Sequence, residues 1–250
     1  VSQQPLPPVE FLREVDSTNR VALERAIEGC SDGWAVHADT QTDGRGRHGR
    51  SWLSAPNENL HLTVLLRRGG PPERSRTLPL AVGVAVAEAL DPHRERGIGL
   101  KWPNDLWARD AKLGGILCER HDVDGGVLLV GVGVNVGSAP PVSIEGGSTR
   151  ASICLRELDS HALGPRHLAP LLRDAIVRMA DALQRQGAAA WWSAWQTRDV
   201  TRGRRVTGIT GAGATEGVAL GVEEDGALRV QDDRGDVHRV VAGEVRLGSY

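Results

Sequence analysis

A chain of 250 residues that is 40% hydrophobic and 25% charged, with a formal net charge of −2, has the make-up of a folded globular protein; it argues against a disordered chain and exerts no overall pull toward nucleic acid. No run approaches the roughly 18–20 consecutive apolar residues of a membrane span, and the opening VSQQPLPPVEF lacks the basic and apolar regions of a secretory signal, so a cytoplasmic protein without membrane attachment is expected. Cys30, Cys118 and Cys154 form an odd, widely spaced set without a CxxC, and the eight histidines show no HxxxH or HxH pairing; this argues against a disulfide framework or a zinc site and leaves the cysteines as buried thiols.

After a Pro-rich lead-in, VEFLREV reads as a strand and DSTNRVALERAIEG as a helix, with Ser17 or Thr18 near its cap and Gly29 after its end. GWAVHAD is a short strand, NLHLTVLL alternates like a half-buried strand, and RRGGPPERSR is a surface connection. TLPLAVGVAVAEAL is apolar nearly all round, which predicts a buried helix. Strands are predicted at 98–101, 113–119 and 127–136, interrupted by a Pro-Asn turn at 103–104 and an Asp-Gly turn at 124–125, so the sheet is expected to be mixed rather than doubly wound. VGSAPPVSIEGGSTR reads as a flexible loop, and helices are predicted at about 165–186 and 188–198, with Trp191 and Trp195 on one face as core. From about residue 200 the pattern becomes short strands separated by Gly and Asp turns, the signature of a small β-barrel appended to an α+β domain.

Residues 41–52, QTDGRGRHGRSW, pack three arginines and three glycines into twelve positions. GRGRHG is formally a GxGxxG, but a dinucleotide loop opens a helix inside a βαβ unit, whereas here RSWLSAPNENL follows and opposes a helix. The kinase version fails because no HRD or DFG follows. GVGVNVG at 131–137 is a second near-match and reads better as a strand with close backbone approach. Three readings of the loop remain on its own residues: a solvated basic loop, a nucleic-acid contact, or an ordered lid over a phosphorylated intermediate. In the last, glycine N–H groups approach anionic oxygens, Arg45 and Arg47 supply charge-assisted hydrogen bonds, and Trp52 offers a face to a purine.

Of 30 basic residues 28 are arginine, and the two lysines, Lys101 and Lys112, both fall in short unusual motifs. A compact ammonium, which the planar guanidinium fork cannot replace, is one account of why they persist; chance is the other.

The motifs DSTN (16–19), QTDGRGRHGRSW (41–52), KWPNDLW (101–107), KLGGIL (112–117) and GVGVNV (131–136), in this order and spacing, closely resemble the catalytic domain of the biotin protein ligases, and the tail resembles that family's SH3-like C-terminal domain. The likeness runs from about residue 10 to 248. It implies an α+β fold: a catalytic domain over residues 1–198, its mixed β-sheet flanked by helices as in the class II aminoacyl-tRNA synthetase and biotin synthetase-like folds, and a small SH3-like β-barrel over 199–250. It further implies an enzyme that forms biotinyl-5′-AMP from biotin and ATP with Mg2+, then transfers biotin to one lysine of a biotin carboxyl carrier protein of acetyl-CoA or related acyl-CoA carboxylases. Fewer than about ten residues precede the first strand, so the short form, without the family's N-terminal DNA-binding module and without specific DNA binding, is expected; both a monomer and a homodimer remain open.

By the same resemblance, Lys112 lies against the carboxylate and the phosphate, and Arg47 and Asp105 join it as catalytic residues, Asp105 orienting or deprotonating the incoming lysine. Biotin is held by Ser17, Thr18, Asn19, Gln41, Gly44, Arg45, Gly46, Arg47, Lys112, Gly115 and Gly131, with Asn19 also read as mostly structural. The nucleotide is held by Arg45, Arg47, Trp52, Lys101, Asn104, Lys112 and Asn135, and no protein motif for a metal is present beyond Mg2+ arriving with ATP. Gly114 lets the chain pass close to the ligand, while Trp102 and Trp107 are assigned to the core. An enzyme that makes a lysine-reactive intermediate with two lysines of its own offers itself few sites of self-modification. A lipoate or octanoyl transfer protein of the same superfamily is the nearest rival, and a nucleic-acid-binding protein using the arginine loop is the rival from another class.

Overall fold

The strands predicted in the first half of the chain assemble into one seven-stranded sheet in a computed structural model that describes residues 5–67, 72–140, 142–143, 149–210 and 213–247. β1 (Val9–Val15) pairs in parallel with β2 (Ala35–Gln41) across the helix α1 (Thr18–Ile27), which has Ser17 at its N-cap. From β2 the sheet continues antiparallel through β3 (Leu60–Leu66), β7 (Val127–Val134), β6 (Ala111–His121), β5 (Asp105–Ala108) and β4 (Gly99–Lys101), so it is mixed as expected. β5 is four residues long, too short to carry an alternation signal, and sequence reasoning missed it.

The two-residue period of a strand sorts the side chains. Leu60, Leu62, Val64 and Leu66 of β3 join Val130, Val132 and Val134 of β7 in the main core, which α2 (Pro72–Leu90) and α4 (Pro165–Gln186) complete. Leu65, Leu129 and Val36 point the other way into a smaller cluster with Val21, Ala22 and Ala26 of α1. α2 packs against both the sheet and α4, which explains why it is apolar nearly all round. It begins earlier than expected: the second half of RRGGPPERSR is helical from Pro72, a residue well suited to a first helical turn, and 68–71 lie outside the described residues.

In the expected loop after residue 136, β8 (Val142–Ser143) pairs with β9 (Thr149–Arg150), and a single turn α3 (Leu155–Leu158) follows; residues 141 and 144–148 lie outside the described residues. The helix predicted over 188–198 is broken, because Gly187 ends α4 at φ 60°, Gly187–Ala190 form a 3-10 turn, and α5 spans only Trp192–Arg198. Trp191 and Trp195 are nonetheless fully buried, edge to face with ring centroids 6.3 Å apart. Of the cysteines only Cys154 is buried; Cys30 and Cys118 are intermediate, and all three are free.

Asp199 still pairs in parallel with Leu100 of β4, where the Val200 N–H donates to the Leu100 carbonyl, before the chain enters a five-stranded antiparallel sheet, ordered β13-β12-β11-β10-β14. Its strands are β10 (Arg205–Thr210), β11 (Gly213–Val222), β12 (Leu228–Gln231), β13 (Val237–Val240) and β14 (Glu244–Leu247), joined in part by the expected Asp-Gly and Arg-Gly turns at 225–226 and 234–235. This sheet docks on the catalytic half by hydrogen bonds: the buried Trp102 Nε1 donates to the Gly226 carbonyl (2.9 Å) and the buried Lys101 Nζ to Val245 (2.7 Å), and the half-buried Trp192 Nε1 of α5 donates to Val222 (2.9 Å).

Candidate active site

Strand register lays out the floor of the site. Asp105 of β5 pairs with Gly115 of β6, Gly115 with Gly133 of β7, and Gly133 with His61 of β3, giving one row across four strands. Two residues along lies the row Leu117, Gly131 and Thr63. All of these but the fully buried Thr63 line a cavity of about 410 Å³, walled by the start of α1, the 41–52 loop, the 101–105 turn and Glu244 of β14.

A register shift decides which way Lys112 points. Leu106 pairs with Gly114 but Trp107 pairs with Lys112, so Leu113 is an extra residue on β6. Without it Lys112 and Gly115, three apart, would face opposite sides of the sheet; the bulge puts both on the Asp105 face and turns Leu113 into the core. Lys101 reaches the same face because it pairs with Asp105 in the β4–β5 hairpin.

The charged row is therefore compact. Lys112 Nζ lies 2.7 Å from Asp105 Oδ1 and 5.8 Å from the centre of the Trp52 ring, and Lys101 Nζ lies 3.8 Å from Asp105 Oδ2. Arg47 Nη1 donates to Asn104 Oδ1 (3.3 Å), and Asn104 is itself fixed by exchanging hydrogen bonds with Ile116 of β6. Burial pulls the Arg47 guanidinium below its ordinary pKa, against the pull of Asp105 and Glu244, so this cation is held where solvent helps it little and an anion would help it much. Trp52 lies flat enough on β7 that its Nε1–H is buried without an acceptor among the described residues. Asn135, 3% exposed, spends its amide on the Lys112 and Ile153 carbonyls and ties β7 to the chain after β9.

The neighbouring row is uncharged and closely hydrogen-bonded. Gln41 Oε1 accepts from the Thr18 backbone N–H (2.8 Å) and lies 3.0 Å from Thr18 Oγ1. Thr63 Oγ1 lies 2.8 Å from Thr18 Oγ1 and 2.6 Å from Asn19 Oδ1, while Asn19 Nδ2 donates to Glu119 (2.6 Å). With its oxygen committed, Gln41 has its amide N–H₂ left to direct, so the row offers oriented donors and acceptors to a neutral polar group. The glycines opposite are required by space: a Cβ on Gly131 would stand 2.6 Å from Asn19 Oδ1.

Of the residues named from sequence, Ser17, Thr18, Asn19, Gln41, Arg45, Gly46, Arg47, Trp52, Lys101, Asn104, Asp105, Lys112, Gly115, Gly131 and Asn135 all line this one cavity. Gly44 does not; it closes the base of the loop, accepting from the Trp52 N–H (2.7 Å), and a Cβ there would stand 2.6 Å from the Trp52 carbonyl. Gly114 is likewise tight against the Gly133 carbonyl rather than against the cavity. Lys101 lines the wall, but at 1% exposure it is a buried strut whose ammonium is already bonded to Val245. Within the loop Arg47 reaches Asn104, whereas Arg45 pairs with Asp43 (3.1 Å) and Arg50 Nη1 with Glu244 Oε1 (2.7 Å). GRGRHG opens no α-helix, only a 3-10 turn at Arg47–Gly49.

Sequence reasoning missed His61, whose Nδ1 contacts the Ala38 carbonyl (3.0 Å) and whose Nε2 contacts Ser54 Oγ (2.7 Å), and Glu244, which is 192 or more positions from the loop it touches. His61 sits inside an apolar-looking strand and carried no local signal; only the strand parity reveals its face.

Comparison with known proteins agrees with this layout. Residues 11–136 match the Biotin/lipoate A/B protein ligase family and residues 201–248 the Biotin protein ligase C terminal domain. The biotin–[acetyl-CoA-carboxylase] ligase of Paracoccus denitrificans is 32% identical over 247 residues, covering 95% of this chain and 100% of that protein. The bifunctional ligase/repressor BirA of Escherichia coli is also 32% identical, over 96% of this chain and 74% of its own length. Among solved structures, the Aquifex aeolicus biotin protein ligase in complex with biotin and ATP superposes with a TM-score of 0.78 at 28% identity, over 97% of this chain and 99% of that one.

The fold and site thus define a protein ligase of the acyl-activating kind, and the chain belongs to the biotin/lipoate A/B protein ligase family. Within that family it carries both the catalytic and the C-terminal domain of the biotin protein ligases.

Proposed function

We propose that this chain is an ATP-dependent biotin protein ligase, which joins biotin and ATP to biotinyl-5′-AMP with release of pyrophosphate and then passes the biotinyl group to one lysine of a biotin carboxyl carrier protein of acetyl-CoA carboxylase or a related acyl-CoA carboxylase. Its catalytic part is residues 1–198 and its C-terminal SH3-like part 199–250, and it works in the cytoplasm. The observation that carries the reading is a single cavity in which an uncharged hydrogen-bonding row (Thr18, Gln41, Asn19, with Thr63 buried behind it) lies beside a cationic one (Lys112, Arg47). Biotin has that polarity: a neutral ureido ring at one end and a carboxylate at the other.

The first step asks an anionic carboxylate to approach an anionic phosphate, and cations fixed in advance cancel that repulsion where charge develops. Lys112 and Arg47 are assigned to it. Trp52 is assigned to the adenine side, its face available beside the Lys112 ammonium. Asp105 is assigned to orient the incoming lysine and receive its proton. Magnesium bound to the phosphates of ATP would supply further charge neutralisation there.

The test is biotin-dependent exchange of labelled pyrophosphate into ATP, with lipoate in a parallel reaction. Biotin-dependent exchange is expected; exchange with lipoate alone would assign the chain to the other branch. Lys112→Ala and Arg47→Ala are each expected to slow it by about 100-fold or more, and unchanged rates would remove those assignments. The nucleic-acid reading finds little support, because Arg45 and Arg50 are matched by Asp43 and Glu244 and Arg47 faces the cavity.

A further inference from the structure

Both lysines of the chain meet at one carboxylate. Lys101 lines the wall too, but it is 1% exposed and its ammonium is bonded to the Val245 carbonyl as well. Lys112 keeps 16% of its side chain exposed on the cavity wall, with its ammonium 2.7 Å from Asp105 Oδ1. If an acyl-adenylate forms in this cavity, as the reading above has it, Lys112 is the side-chain amine of the enzyme nearest at hand to intercept it. Arginine stays protonated and does not compete.

We propose that Asp105 guards Lys112 against acylation by the enzyme's own activated intermediate. In the reaction it suppresses, the neutral Lys112 amine attacks the carboxyl carbon of the acyl-adenylate. A C–N bond forms as the C–O bond to the phosphate breaks, AMP leaves with the electron pair, and the surplus amine proton passes to water. That attack requires a lone pair, and an ammonium directing a proton at Asp105 has none. In Asp105→Asn the carboxylate that Lys112 Nζ meets at 2.7 Å is replaced by an uncharged amide, so the ion pair that occupies the amine is lost. Asp105 thereby lets the enzyme keep a lysine cation beside a lysine-reactive bond.

Because the chain has two lysines, peptide mass spectrometry after treatment with the N-hydroxysuccinimide ester of acetate reads the outcome directly, without any need for ligase activity. In the wild type Lys112 is expected to react slowly, and in Asp105→Asn roughly tenfold faster or more, with Lys101 unmodified in both. Equal Lys112 rates in the two proteins would overturn the proposal. Acylation of Lys101 in the variant would report unfolding, and the decision then falls to the wild type: Lys112 reacting at least tenfold more slowly than in the urea-unfolded chain upholds the guard, and reacting as fast overturns it. In a second arm, Asp105→Asn incubated with biotin and Mg-ATP and no acceptor is expected to gain a biotinyl group on Lys112; pyrophosphate exchange without that label would also overturn it. Loss of exchange in the wild type with the ester result intact would sink only the functional reading.

Discussion

A Cβ placed on Gly133 would stand 2.7 Å from the Trp52 indole, closer than carbon atoms approach in folded proteins, so that residue 133 decides whether the tryptophan can lie on β7 at all. Gly133→Ala is expected to push Trp52 off the sheet and to raise the KM for ATP in the pyrophosphate exchange assay by about tenfold while affecting biotin binding less. An unchanged KM would separate Trp52 from the nucleotide. Gly131 holds the same relation to Asn19, a wall residue whose amide is spent on Thr63 and Glu119. The local motifs named these positions; what each glycine makes room for became visible only when side chains from other strands and loops were placed over it.

At the scale of elements, β2 and β3 bury a histidine each. His37 Nδ1 contacts the His61 carbonyl at 3.1 Å, and burial, with the neighbouring His61 adding to it, lowers the His37 pKa to about 4. Burial likewise lowers that of His61. An unfolded chain takes up a proton on such a ring near pH 6.5, whereas the folded one resists until about pH 4, so between these values the unfolded state binds more protons and stability rises with pH. The contribution is complete above pH 6.5 and is lost as the pH falls through 4, on the order of 3 kcal/mol from His37 alone. Denaturant unfolding at a series of pH values is expected to show this loss, and His37→Gln to flatten it; equal slopes in both proteins would contradict it. Neither histidine announced itself in sequence, because NLHLTVLL and GWAVHAD look like ordinary strands and the cost of burying a ring depends on what closes over it.

At the scale of the molecule, the C-terminal sheet is part of the site. Lys101 runs from Asp105 on the cavity floor to the Val245 carbonyl, Trp102 reaches Gly226, and Glu244 takes Arg50 from the tip of the 41–52 loop. Removing one partner of a buried charge pair leaves the rest uncompensated, so Lys101→Met is expected to lower the unfolding free energy by about 3 kcal/mol and, because Asp105 loses a neighbour, to slow exchange as well. Thermal unfolding and the exchange assay on the same preparation check both. A stability loss under about 0.5 kcal/mol, the range of an ordinary surface substitution, would show that the strut carries nothing.

The sequence by itself determined the family resemblance, the mixed sheet, the buried second helix, the change of character near residue 200 and a set of site residues of which all but Gly44 line the cavity, because motif chemistry and the two- and 3.6-residue periods are local properties of the chain. Only the tertiary structure decided that Lys112 faces Asp105, since a single extra residue at Leu113 reverses the parity on which that depends, and only it brought Glu244, His61 and the buried Lys101 to the same place. Register and domain docking are set by packing between segments far apart in the chain, and no local pattern encodes them.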